Sequence, residues 1–127
     1  MFNVHPLLFA VKNESLEIVK MLIEHHAPIN KEDLNGTTAL IMACEAGYFD
    51  IVQYLVQEGK ANINQADGLG FTPLHFAAAC GRLEIVKFLL SQPGITINVQ
   101  NISGISFHFV FIQLHMILPN LIFIMIF

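Results

Sequence analysis

Apolar residues recur along this chain in short bursts at helical spacing, with polar turn residues between them. In Leu83-Glu84-Ile85-Val86-Lys87-Phe88-Leu89-Leu90, apolar side chains at Leu83, Val86 and Leu90, and again at Ile85 and Leu89, predict a short helix with a broad apolar face. The stretch before it, Thr72 to Gly81, predicts another. Pro73 suits a first helical position because its missing N–H would have no intrahelical partner there. Thr72 can accept a hydrogen bond from an orphan amide of the first turn, and Gly81 stops the helix where a left-handed backbone is easiest. Asp67-Gly68-Leu69-Gly70 ahead of this pair reads as a tight turn.

The same pattern recurs. Ile85-Val86 answers Ile51-Val52 at a spacing of 34 residues, and that pair answers Ile18-Val19 at 33. Gly81 answers Gly47, Gly70 answers Gly36, Asp67 answers Asp33, and Asn98 answers Asn64 and Asn30. The extra residue of the second unit falls near Lys60, in the loop after its second helix. A period near 33 with Thr72-Pro73-Leu74-His75 at the first helix resembles the ankyrin repeat, and the resemblance covers roughly residues 3 to 106. It implies an all-α fold, an α-solenoid of stacked helix-turn-helix repeats joined by β-hairpin loops. Residues 1–106 then form one repeat domain, with units at about 1–32, 33–66 and 67–100 and the start of a fourth at 101–106. Helices of roughly 8 to 10 residues do not persist alone in water, so each unit must bury its face against its neighbours.

The units depart from the family pattern in different ways. In the first, His5-Pro6-Leu7-Leu8-Phe9-Ala10 stands where Thr-Pro-Leu-His-x-Ala is expected, Glu14 replaces the stop glycine, and His26 takes another usual glycine position. Ser15 is placed to cap a helix from Leu16 to Glu24. In the second, Thr38 stands before Ala39 in the proline slot, and Leu40, Ala43 and Ala46 are expected to face inward. The third is nearest to consensus. The fourth opens in register at Asn101-Ile102-Ser103-Gly104-Ile105-Ser106, and then Phe111 and Ile112 stand where small residues let adjacent helices approach. Residues 107–127 are apolar apart from His108, Gln113, His115, Pro119 and Asn120. Three readings stay open for them: a distorted closing unit, a C-terminal membrane anchor, or a tail outside any folded design.

Charge limits the function classes. Six basic against ten acidic side chains give a net charge of -4, and no Lys/Arg cluster exists to hold phosphates, so nucleic acid is not an expected partner. No charged residue follows Lys87. A membrane is an expected partner only through residues 107–127. Cys44 and Cys80 sit in runs of small residues and are expected to be free and buried. Unpaired thiols and the lack of a secretory leader pattern predict a cytoplasmic or nuclear protein, with membrane association as the alternative.

No motif for catalysis, a cofactor or a metal is present. P-loop, Gly-x-Ser-x-Gly, His-Glu-x-x-His and paired Cys-x-x-Cys patterns are all missing. His25 and His26 are adjacent, and helix neighbours point about 100° apart, which is awkward for joint ligation. The expectation is a non-enzymatic scaffold or adaptor. The resemblance implies that a protein partner meets the hairpin tips and the exposed ends of the first helices, along a concave face. Carried onto this sequence, those positions are Leu34, Asn35, Thr37, Glu45 and Ala46 in the second unit, and Leu69, Phe71, Ala79 and Cys80 in the third. Ile102 and Ile105 extend the row at the fourth hairpin, and Lys12 and Asn13 contribute from the first unit. Thr38, Gly47, Thr72, Pro73, Leu74, His75 and Gly81 are implied to be structural, with His75 hydrogen-bonding within the hairpin-to-helix junction. Asn30, Asn64 and Asn98 are implied to bond each loop into the next hairpin.

Overall fold

The computed structural model of the chain describes residues 5–97 together with Asn101 and Gly104. Among these, six helices form: α1 (Pro6–Lys12), α2 (Leu16–Glu24), α3 (Ala39–Ala46), α4 (Phe49–Gln57), α5 (Pro73–Ala79) and α6 (Leu83–Leu90). Hydroxyl caps start three of them. Ser15 Oγ accepts from the Ile18 amide at 3.3 Å, Thr38 Oγ1 from Ile41 at 3.2 Å, and Thr72 Oγ1 from His75 at 3.3 Å. At α1 the cap residue His5 makes no side-chain cap bond, and Pro6 opens the helix directly. The second helix of the middle unit opens at Phe49, so the Asp50 carboxylate lies within the first turn beside the positive end of the helix dipole.

Each first helix ends on a left-handed residue, and not always a glycine. Gly47 and Gly81 take φ of +85° and +70°, and Glu14 takes +54° at the same register. The Glu14 N–H donates to Val11 O and the Ser15 N–H to Ala10 O, so the backbone wraps round the helix end as it does at Gly81 and Arg82. His26 repeats the device after α2, with φ +62° and with its own N–H and that of Ala27 bonded to Ile23 O and Leu22 O. After α4 the Ala61 N–H reaches back six residues to Leu55 O, where Ala27 reaches back five to Leu22 O. The extra residue is taken up at Gly59-Lys60, with Lys60 at φ +56°.

The helices form two rows. α1 packs on α3 and α3 on α5, while α2 packs on α4 and α4 on α6, and each first helix also packs on the second helix of its own pair. One core runs through the stack, from Leu7, Val11 and Val19 through Leu40, Val52 and Leu55 to Leu74, Val86 and Leu89. Ala10, Ala43 and Ala77, buried on the three first helices, leave room for close approach along the inner row.

No strand forms among the described residues, and the connections to α3 and α5 are hairpin turns. Asp33 N–H donates to Thr37 O at 3.0 Å and Asp67 N–H to Phe71 O at 2.9 Å. In both, one aspartate oxygen accepts two further amides of its own turn, Asn35 and Thr37 in the first and Leu69 and Phe71 in the second. Gly104 N–H donates to Asn101 O at 2.9 Å, as Gly70 N–H does to Asp67 O at 3.0 Å. Ile102, Ile105, Asn98 and the segment 107–127 lie outside the described residues.

The repeats are tied to one another by backbone polar groups. Asn30 Oδ1 accepts from the Asn62 amide at 2.8 Å and Asn64 Oδ1 from Thr96 at 2.9 Å. These asparagines therefore bond to the matching loop of the next repeat, not to its hairpin. The turns themselves are joined by Gly68 N–H donating to Asn35 O at 2.9 Å. Arg82 places Nε and Nη2 each 3.1 Å from Glu45 O, meeting an orphan carbonyl at the negative end of α3.

Candidate interaction surface

The turn tips carry the most exposed apolar side chains of the second and third repeats. Leu34 is 98% exposed and Leu69 is 55% exposed, and they flank the hydrogen bond from Gly68 to Asn35 that joins the two tips. Asn35 itself is exposed, while Thr37 is half-buried with its amide held by Asp33. Glu45 and Ala79 are exposed near the ends of α3 and α5, Ala46 is half-buried, and Lys12 and Asn13 are exposed at the end of α1.

Phe71 is placed differently from the leucines. Its ring stands edge-on to His75 and to Phe76, with both centroids 5.8 Å away, and the side chain is half-buried. It is part of the local packing of the turn onto α5. Beneath it, His75 Nδ1 accepts from the Thr72 amide at 3.1 Å and lies 2.7 Å from Thr72 Oγ1, while Thr72 Oγ1 accepts from the His75 amide. Nδ1 is thus an acceptor and the ring proton belongs on Nε2. This reciprocal capping box holds the buried hairpin-to-helix junction. Leu8 and Ile41 occupy the matching positions of the other repeats and are buried without any polar group to satisfy.

A row that the sequence reading passed over lies on the first helices. Phe9, Met42 and Phe76 share one register at spacings of 33 and 34 residues, on α1, α3 and α5, which stack on one another. Phe9 is 67% exposed, and Met42 and Phe76 are half-buried. The repeat register alone aligns these positions; what hid them is that each is apolar, and apolar helix positions read first as core.

The two cysteines part company. Cys44 is buried inside α3, and burial pushes its thiol pKa well above the ordinary range, so the group stays protonated. Cys80, expected to be buried, is exposed: it is the C-cap of α5, past the last turn that packs on α3. Of the adjacent histidines, His25 Nδ1 sits 2.7 Å from Met21 O at the end of α2, and His26 is exposed in its left-handed turn.

A family profile for ankyrin repeats in three copies matches residues 7–101. The chain belongs to the ankyrin repeat family. Ankyrin repeats are protein-interaction modules and the family is generally non-catalytic. The chain is 42% identical over 55 residues to rat ankyrin repeat and SAM domain-containing protein 6, covering 42% of this chain and 6% of that protein. It is 44% identical over 62 residues to mouse protein phosphatase 1 regulatory subunit 27, covering 45% of this chain and 40% of the relative. An Arabidopsis thaliana E3 ubiquitin-protein ligase, XBAT33, is 41% identical over 51 residues, 40% of this chain and 10% of the ligase. The likeness thus spans 40% or less of the length of each of these relatives. No helix among the described residues is long and apolar enough to cross a membrane.

Proposed function

We propose that this ankyrin repeat stack serves as a non-enzymatic scaffold or adaptor, and that its partner protein lies along the turn tips and the outward side of the first helices. The observation that carries the reading is the near-complete exposure of Leu34 beside exposed Leu69, two leucines held on adjacent, mutually bonded tips. The backbone of each turn is already fixed by its aspartate, so a partner that covers these side chains has little main chain to order. Asn35, Thr37, Glu45 and Ala79 supply polar and small surface around it, and Phe9, Met42 and Phe76 extend the apolar row. Ile102 and Ile105 would lengthen the row of tips.

Leu34→Ser combined with Leu69→Ser is the direct test. Neither side chain is part of the core, so the melting temperature should hold within a degree or two while partner capture falls by roughly tenfold or more. Phe71→Ala is a poorer probe, because it also removes the ring contacts with His75 and Phe76. The name of the mouse relative makes protein phosphatase 1 a first partner to assay. Capture unchanged in the double variant would overturn this placement of the surface.

A further inference from the structure

Each of the two described turn tips holds a side chain that could close on its own backbone. Asn35 precedes Gly36, and Asp67 precedes Gly68. A following glycine lets a side-chain carbonyl carbon approach the next backbone nitrogen, because no Cβ stands in the way. The two sites are held differently. Asp67 Oδ1 accepts the amides of Leu69 and Phe71, at 3.0 and 2.9 Å. Asn35 is exposed, and among the described residues no hydrogen bond holds its side-chain amide. Other asparagines use theirs. Asn13 Nδ2 donates to Phe9 O, Asn30 Oδ1 and Asn62 Oδ1 accept from the amides of Asn62 and Asn64, and Asn64 Nδ2 donates to Gly94 O. Those four also precede residues with side chains, Glu14, Lys31, Ile63 and Gln65.

The backbone nitrogen beside Asn35 is guarded. Gly36 is buried, and its N–H donates to Asp33 O at 3.0 Å. Ring closure removes that proton, so the bond to Asp33 has to break first. Asn35 O accepts from Gly68 N–H at 2.9 Å, which joins the two tips. The tips are so close that a Cβ on Gly36 would lie 2.5 Å from the Gly68 nitrogen, which leaves no room for a longer chain.

We propose that Asn35 is a spontaneous modification site, gated by opening of its turn, and that the reaction unties the two tips. Water is the only co-reactant. The Gly36 nitrogen gives its proton to solvent base and bonds to Asn35 Cγ, while the bond from Cγ to Nδ2 breaks and that nitrogen leaves, protonated, as ammonia. The cyclic imide then takes up water at either carbonyl. Opening at Cγ yields aspartate in an ordinary backbone. Opening at the backbone carbonyl yields isoaspartate, with the chain running through Cβ and Cγ and the former backbone carbonyl left as a free carboxylate. The isoaspartyl chain is lengthened by a carbon at the closest approach of the two tips, so the acceptor for Gly68 N–H moves away.

Incubation of the full chain at mildly alkaline pH tests this, with peptide mass spectrometry to count each converted asparagine and isoaspartyl methyltransferase labelling to read the isoaspartate. Asn35 should convert about tenfold faster or more than Asn13, Asn30, Asn62 or Asn64, and about tenfold faster again once urea unfolds the chain. Asn35→Gln should keep the circular dichroism melt and lose the methyltransferase signal. In the isoaspartyl chain, separated from unmodified protein, the Gly68 amide should exchange with solvent about tenfold faster or more. Conversion of Asn35 no faster than that of the other four overturns the site, as does a methyltransferase signal that persists in Asn35→Gln. Equal rates in the folded and urea-unfolded chain overturn the gate. Unchanged exchange at Gly68 overturns the untying of the tips.

Discussion

Two residues hold a backbone conformation that the neighbouring repeats give to glycine. Glu14 and His26 sit at φ +54° and +62°, closing helix ends in the way Gly81 does. The hydrogen bonds of the turn hold them there at a steric penalty of about 1–2 kcal/mol per residue. Glycine removes that penalty and gives back part of the gain through its freer unfolded chain, about 0.4–1 kcal/mol. Glu14→Gly and His26→Gly should therefore each stabilise by about 0.5–1 kcal/mol, read as a higher urea midpoint with an unchanged slope. The Glu14 position was legible from register alone, since it stands where Gly47 and Gly81 stand. The contrast between the cysteines was not, because a run of small residues does not say where the last packed turn ends. Burial raises the Cys44 pKa in the folded state. The unfolded thiol ionises first as pH rises, so the unfolded chain holds fewer protons, and stability falls above about pH 8.5. Cys44→Ala should flatten that alkaline decline in a series of urea titrations at pH 7 to 10.

At the scale of the turn and the helix, the glycines do unequal work. A Cβ on Gly36 would lie 2.5 Å from the Gly68 nitrogen and 2.9 Å from the Asp67 carbonyl carbon, and both of those are backbone atoms that cannot swing aside. The bond from Gly68 to Asn35 would have to break. At Gly81 a Cβ meets nothing within 4 Å, so only the positive φ of +70° opposes a side chain. Gly36→Ala should thus cost about 3 kcal/mol and Gly81→Ala about 1 kcal/mol by chemical denaturation. Equal losses at the two sites would show that the close approach of the tips relaxes freely. Register predicted that both positions need glycine; it had no means of ranking them, because the neighbour that crowds Gly36 comes from the next repeat. Arg82 illustrates the same limit. Its counterparts are Tyr48 and Ser15, a phenol and a hydroxyl with no guanidinium to offer a carbonyl two donors, so no repeated pattern announced its two bonds to Glu45. The asparagines were legible as inter-repeat ties because they recur, although their partners proved to be loops and not hairpins.

For the whole molecule, helices of 7 to 9 residues make every repeat depend on the ones beside it. The repeat period was readable because each unit solves the same packing problem with the same residues. The outer surface obeys no such rule, which is why Phe9, Met42 and Phe76 escaped notice while the core did not. The dependence is asymmetric in a way that can be measured. The middle pair, α3 and α4, packs on helices on both sides, whereas among the described helices α1 and α2 pack on each other and, through α3 and α4, on the middle pair. Leu40→Ala opens a cavity at the buried first turn of α3 at a loss of about 2–4 kcal/mol, and it loosens both interfaces together. Native-state amide exchange should then speed up in α1–α2 and in α5–α6 as well as at the site. Leu8→Ala, at a buried position of α1, removes similar apolar volume from one side only. It should raise exchange through α1 and α2 and leave α6 nearly unchanged. If Leu40→Ala instead left α5 and α6 fully protected, that pair would be held by something other than the middle repeat, and nearest-neighbour stacking would not be what keeps it folded.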